Sequence, residues 1–363
     1  MKKILLVIHT PPPYGGGEIQ AQYLKEYFSG KEKYFVFDYS RKGHSRMRWA
    51  SRFNFRAILA GIWWEIKLIY YFILLRPQKV YFTLPKSFLA FMRNGMAISI
   101  AKFLKIKVLG ELPGTSFKFL EKGRGIRYRI GLSFLRKIDE IRFLSHRISG
   151  FHSGLKLQRH VIIENGILPV AGNYIDKEVF NNPILNLLYV GSIERSKGIF
   201  NSLLALKHCI EAGHNLHFNI IGYWSNPREE KDALRFIQEN RLGNAITFHG
   251  ILTGSSKWEA VTKCAVLIHP TYWDGVPLTI LEALAVGMPV ISTNIGGIPD
   301  TIKDEINGII LKENNPKLLG DAIIYFSNNR NVLSIISENN KELFKRRFDL
   351  PLFLKNMENW FNE

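Results

Sequence analysis

The chain has 363 residues, enough for two domains of ordinary size, and 46% hydrophobic with 22% charged residues excludes a disordered protein. Its two cysteines, Cys209 and Cys264, stand in apolar surroundings; they exclude a disulfide framework and fit a reducing compartment. The net charge of +18 is one-sided: residues 1–168 hold 30 Lys and Arg against 10 Asp and Glu, the remainder 19 against 21, which points the first half at an anionic partner.

Residues 4–9 read as a first buried strand, too short an apolar run for a secretory signal. Thr10-Pro-Pro-Pro-Tyr-Gly-Gly-Gly-Glu18 follows, then a helix over 19–28. Gly15, Gly16 and Gly17 allow close backbone approach to an anion at the helix start; the alternative is that they only turn the chain. No Gly-Lys-Ser/Thr follows, so this is not a Walker loop.

Residues 41–56 mix basic and aromatic side chains, and 58–75 continue with Trp63, Trp64, Tyr70, Tyr71 and Phe72. Cationic heads beside aromatic bodies suit a membrane interface. Two readings stay open beside it, an ordinary helix on the sheet with a solvated basic edge, and nucleic-acid contact, although no zinc-finger or RNP-type sequence is present. Glu65 and Lys67 interrupt the apolar stretch 57–75, which argues against a spanning helix. The expectation is a soluble or peripheral protein of the cytoplasm.

Strands at 79–83 and 107–110 with a helix at 88–103 give the alternation of a doubly wound parallel sheet. Glu111 and Thr115 follow as polar candidates for which structural roles are expected. The cationic run 117–136, with Lys118, Lys122, Arg124, Arg127 and Arg129, either lines an acceptor site for a phosphate-bearing lipid or is a solvated helix face. A domain boundary fits at 168–184.

A strand at 185–190 opens a second α/β domain. It leads into Gly191-Ser-Ile-Glu-Arg-Ser-Lys-Gly198 and a helix over 199–211, where the Lys197 ammonium and the helix start suit a diphosphate. Further strands are expected at 217–222 and 245–251, the second ending at Gly250-Ile251. His217, His249 and His269 lack metal-ligand spacing and read as packing residues at strand ends.

Residues 265–298 organise this half. A strand at 266–268 is followed by the Asp274-Gly275 turn, by Pro277 as first helical residue, and by a helix to 286 closed by Gly287; a strand follows at 290–291. Free N–H groups near Val276 to Leu278 form an anion site that Gly275 opens to close approach. Asp274 and Glu282 flank that site and are placed to grip the two ends of an elongated phosphate ligand.

This segment resembles the donor-sugar motif of the GT-B glycosyltransferases, especially retaining family 4, an acid followed by Gly-x-Pro-Leu and then Glu-Ala-x-Ala-x-Gly-x-Pro-Val. Gly275, Pro277, Leu278, Glu282, Ala283, Ala285, Gly287, Pro289 and Val290 match, and Asp274 replaces the first Glu. Other matches are Gly15, Gly16 and Glu18 to the Gly-Gly-x-Glu loop, Gly191, Lys197 and Gly198 to a phosphate loop whose usual Arg is Ser192, and Asp300 to a later acidic place. The usual His after the second of these strands is Pro113.

The resemblance implies an α/β, GT-B fold, two Rossmann-like domains with parallel sheets facing across a cleft. Residues 1–168 with a C-terminal helix at about 345–363 would form the acceptor side, and 169–344 the nucleotide-sugar side. It implies Asp274 on the sugar hydroxyls, Glu282 on the ribose and Lys197, with Arg195, on the diphosphate. Gly15, Gly16, Gly17, Gly250, Gly275, Val276, Pro277 and Leu278 would complete the donor site. The activity implied is retaining transfer from a nucleotide-diphosphate sugar to a lipid-linked glycan or surface-polysaccharide precursor, in bacterial assembly. No cofactor is expected, and the absence of Asp-x-Asp points to metal independence. The rival readings are a GT-B nucleotide-sugar epimerase and a non-catalytic sugar-nucleotide- or membrane-binding subunit.

Overall fold

The alternation of strand and helix produces two parallel sheets of six strands each among the described residues. The computed structural model describes residues 3–12, 14–40, 55–115, 117–121, 123–168 and 174–363. The basic and aromatic segment at 41–54 and the linker residues 169–173 therefore lie outside the described residues. The chain divides into two compact units, Met1–Asn165 with Pro351–Glu363, and Gly166–Leu350.

The first unit runs β1 (Ile4–Ile8), α1 (Gly16–Phe28), β2 (Tyr34–Asp38), α2 (Phe55–Leu75), β3 (Lys79–Thr83), α3 (Phe88–Phe103), β4 (Lys107–Leu112), α4 (Lys118–Glu121), α5 (Ile126–Leu135), β5 (Glu140–Phe143), α6 (His146–Phe151) and β6 (His160–Ile162). Its sheet order is β2-β1-β3-β4-β5-β6. Every residue of β1 is buried, as a central parallel strand of unbroken apolar residues should be. The register sets Glu111 of β4 beside Arg142 of β5. Arg142 is fully buried: Nη1 donates to Glu111 at 2.6 Å, Nε to the Ile163 carbonyl at 2.9 Å, and Nη2 to Asn165 Oδ1 at 2.8 Å. Tyr81 donates its hydroxyl to the same carboxylate. Glu111 is thus a packing residue, and its acid is closed to any acceptor.

The second unit runs α7 (Lys177–Asn181), β7 (Leu185–Ile193), α8 (Ile199–Glu211), β8 (Leu216–Trp224), α9 (Pro227–Glu239), β9 (Ile246–Gly250), α10 (Gly254–Thr262), β10 (Val266–His269), α11 (Leu278–Val286), β11 (Val290–Thr293), α12 (Ile298–Thr301), β12 (Gly308–Leu311), α13 (Pro316–Asn328) and α14 (Arg330–Arg347). The order is β12-β11-β10-β7-β8-β9, so the chain steps outward from β7 to β9 and then returns to the other side of β7. The loops after β7 and β10 consequently open side by side at a topological switch point, the place where open α/β sheets bind ligands.

A last helix, α15 (Leu350–Asn362), belongs almost wholly to the first unit. Phe361 packs 5.4 Å from the Phe28 ring and 5.3 Å from Tyr81, and Glu358 accepts hydrogen bonds from Tyr27 at 2.7 Å and Lys31 at 3.1 Å. The sequence reading began this crossover near 345. The structure corrects it: α14 carries on through Arg347 within the second unit, and the division falls at Leu350–Pro351.

Candidate functional site

The strongest cluster of the predicted residues stands at the switch point of the second unit. After β7 a 3₁₀ turn, Arg195–Lys197, ends at Gly198, which has φ +82°. A Cβ there would run into the Pro270 carbonyl, so glycine lets the two loops touch. The Tyr272 amide donates to the Ser196 carbonyl at 2.9 Å, which zips them together. From this turn Lys197 Nζ reaches the Trp273 carbonyl at 3.1 Å and Asp274 Oδ2 at 2.6 Å.

Asp274 is held from three sides. Besides Lys197, its Oδ1 accepts from the Gly275 amide at 3.0 Å, and His269 Nε2 lies 3.5 Å from Oδ2. Burial pushes this carboxyl up, but the His269 ring and the Lys197 ammonium outweigh burial and hold it well below the usual carboxylate range. Asp274 is therefore ionised at neutral pH, an acceptor for hydroxyl groups and not a general acid. His269, read from sequence as a packing residue, belongs to the site. The loop behind it is latched by β11: Ser292 donates to the His269 carbonyl and Thr293 to the Thr271 carbonyl, each at 2.7 Å. Preorganised loops of this kind place charge without further movement.

Helix α11 starts one residue later than expected, with Pro277 as the N-cap instead of the first helical residue. The Ile280 amide already bonds the Pro277 carbonyl at 3.1 Å. The amides left without a helical partner are thus those of Leu278 and Thr279, a shift from the predicted Val276–Leu278. Gly275 and Val276 form the buried approach to this helix start, and the Gly275 carbonyl accepts from the Gly297 amide at 2.8 Å. One turn on, Glu282 Oε1 accepts from Lys257 Nζ of α10 at 2.5 Å, an ion pair about one-fifth exposed. Lys257 was not singled out in the sequence.

Other predicted residues of the second unit are not drawn into this cluster. Arg195 turns away: its guanidinium stacks 3.8 Å over the Phe200 ring and pairs with Asp232 at 3.3 Å. Gly250 ends β9, the edge strand, on the far side of β8 from β7. His217 and His249 bond Thr247 and Asn219 between β8 and β9. In the first unit, α1 begins at Gly16 and not at 19, so Gly15 is the N-cap and Gly16 and Gly17 lie in the first turn. The Glu18 carboxylate lies beside Gly15, where a Cβ would meet it, and 4.0 Å from His9 Nδ1. Behind the position of Pro113, the Gly114 carbonyl is held by the buried His152 ring at 2.9 Å.

Residues 173–343 match the model of the family described as glycosyl transferases group 1. An uncharacterized glycosyltransferase of Methanocaldococcus jannaschii is 28% identical over 194 residues, 52% of this chain and 49% of that protein. The capsular polysaccharide biosynthesis glycosyltransferase CapM of Staphylococcus aureus is 26% identical over 176 residues, 48% of this chain and 45% of its own. The chain thus spans about half the length of the curated relatives it matches. In fold the likeness extends further. Sucrose-phosphate synthase from Thermosynechococcus elongatus superposes with a TM-score of 0.78 at 17% identity, over 100% of this chain and 98% of that one. Anabaena HepE, solved in complex with UDP and glucose, gives 0.76 at 14% over 100% of both chains. Residues 173–343 are thus similar to the glycosyl transferases group 1 family, and the chain has the α/β GT-B fold.

Proposed function

We propose that the protein is a retaining, metal-independent glycosyltransferase that moves a sugar from a nucleoside diphosphate sugar to a lipid-linked glycan or other surface-polysaccharide precursor. The observation that carries this reading is the Lys197–Asp274 pair at 2.6 Å, standing where two loops open at the switch point beside the free amides of α11. A departing diphosphate gains negative charge as the sugar leaves. Lys197 and the Leu278 and Thr279 amides offset that charge in a fixed arrangement. Asp274, ionised and steered by His269, accepts from hydroxyls of the sugar. Glu282, with Oε1 occupied by Lys257, presents its second oxygen to a ribose diol. The complex of Anabaena HepE with UDP and glucose supports a nucleotide-sugar donor, and the name of CapM supports polysaccharide assembly. Retention rests on the family 4 resemblance, and metal independence on the lack of Asp-x-Asp.

Thermal shift and calorimetry against a panel of UDP-, GDP-, ADP- and CDP-sugars test the donor. One nucleotide class should raise the melting temperature. Lys197→Met should weaken its binding roughly 10- to 100-fold, the worth of one charge-assisted contact. Silence of the wild-type protein across the whole panel would overturn the assignment.

A further inference from the structure

The outer face of α2 is apolar where a helix on a soluble sheet should be polar. Ile62, Trp63, Ile66, Tyr70, Ile73 and Leu74 are each more than half exposed. At about 100° per residue all six fall within an arc of about 120°, while Trp64, Leu68 and Phe72 on the opposite side are buried against the sheet. Lys67 stands exposed at the margin of the arc. Helix α3, which packs beside α2, also exposes Leu89 and Phe103, the latter at 85%. Single exposed apolar residues need no explanation; six on one arc of a helix, with more on the helix beside it, mark an interaction surface.

Charge decides what the surface meets. Lys67 of α2 and Arg127 and Arg129 of α5 are exposed, while Glu65, the one carboxylate in the sequences of α2, α3 and α5, has both oxygens buried. Two copies meeting through this face would bring like charges together, which disfavours self-association. An anionic lipid surface complements both features, as acyl chains take the aliphatic side chains, the headgroup region takes Trp63 and Tyr70, and anionic lipids take the cations. No helix among the described residues is long and apolar enough to cross a membrane. The other side of the same sheet offers no such patch near α1, because α15 covers Phe28 and Tyr81 there.

We infer that the α2–α3 face of the first unit is a membrane-docking surface, on which α2 lies in the plane of an anionic bilayer with Ile66 and Tyr70 flanking its centre and Trp63 beside them. This goes beyond the transferase reading and does not depend on it, since docking needs no donor.

Vesicle flotation of the full chain tests the inference. The protein should float with vesicles of equal parts phosphatidylglycerol and phosphatidylcholine and much less with phosphatidylcholine alone. The combined Trp63→Glu, Ile66→Glu and Tyr70→Glu variant should lose roughly 100-fold in partitioning, since three apolar anchors are removed together. Its circular dichroism melt should match wild type, because the replaced side chains face outward. A brominated lipid should quench the bound wild-type fluorescence, and Trp63→Phe, which still floats, should lose most of that quenching. The inference falls if the wild-type chain ignores anionic vesicles or if the triple variant floats as the wild type does. It also falls if vesicle-free sedimentation shows a dimer that the triple variant abolishes, which would give the face to a second copy.

Discussion

Each of the two units has its own six-stranded parallel sheet among the described residues, but they set their charges in different places. In the first, Arg142 and Glu111 sit on neighbouring strands inside the sheet, and every nitrogen of the guanidinium has a partner. In the second, Lys197–Asp274 and Lys257–Glu282 stand beyond strand ends, each side chain about one-fifth to one-quarter exposed. A buried pair with all donors used is a structural clamp, since removing either partner leaves a desolvated charge. A pair at the mouth of a sheet has room to exchange partners with a ligand. The Arg142–Glu111 pair is thus closed inside its sheet, whereas the two pairs of the second unit stay partly open to solvent.

The comparison is broken most directly at Arg142. Arg142→Met should lower stability by about 3–5 kcal/mol, because Glu111 stays buried and charged without its partner. Replacing both, Arg142→Met with Glu111→Leu, should recover part of that loss. Urea unfolding followed by circular dichroism measures both variants. A single variant with an unchanged midpoint would mean that the first unit does not depend on its clamp.

A smaller and pH-dependent effect is expected at Glu65, a carboxylate of the first unit with neither oxygen partnered. Burial pushes its carboxyl up to about 7 from the ordinary 4.5, although Arg93 pulls the other way. Between those two values the folded state keeps a proton that the unfolded chain releases. Stability therefore falls as pH rises from about 4.5 to about 7 and stays reduced above. Glu65→Gln should be more stable than wild type at pH 8 by about 1–3 kcal/mol and nearly equal to it at pH values near the ordinary carboxyl range. Melting curves at two pH values check this, and an equal gain at both would show that Glu65 is not a buried ion in the folded state.

Much of this was legible because local signals and the fold agree. The helix at Phe88–Phe103 and the strand at Lys79–Thr83 were bounded correctly from apolar pattern alone. The loop at 274–282 announced itself through acids around a helix start. The start of α1 was misplaced because three glycines lower helix propensity, whereas in the folded chain Gly16 and Gly17 are already helical and Glu18 stands as an acid in the first turn. Gly191 and Ser192 read as a turn, yet β7 runs to Ile193 because Gly222 on β8 lies against the Gly191 carbonyl, where a Cβ would not fit. β12, four residues long, was not read as a strand at all. His269 and Lys257 had no signal of their own. A histidine at a strand end reads as packing, and the Lys257–Glu282 contact joins two helices 25 residues apart. Such pairings become visible only when the chain is folded.

The smallest expected effect tests the second unit from inside. Arg195 lies two residues from Lys197 in the same turn, and proximity in sequence alone would give both the same ligand. Their surroundings separate them. Lys197 is aimed at Asp274 across the switch point, while Arg195 rests on Phe200 and pairs with Asp232 where both side chains are at least half exposed. An exposed pair of this kind is screened and contributes little, roughly 0–1 kcal/mol. Arg195→Ala should therefore leave nucleotide-sugar affinity within about threefold of wild type and stability nearly unchanged. Calorimetry of the same ligand with Arg195→Ala and Lys197→Met, side by side, measures the difference. Equal losses in the two variants would mean that Arg195 swings off Phe200 to meet the diphosphate, and position in the turn, not the resting contact, would then define the binding cations of this loop.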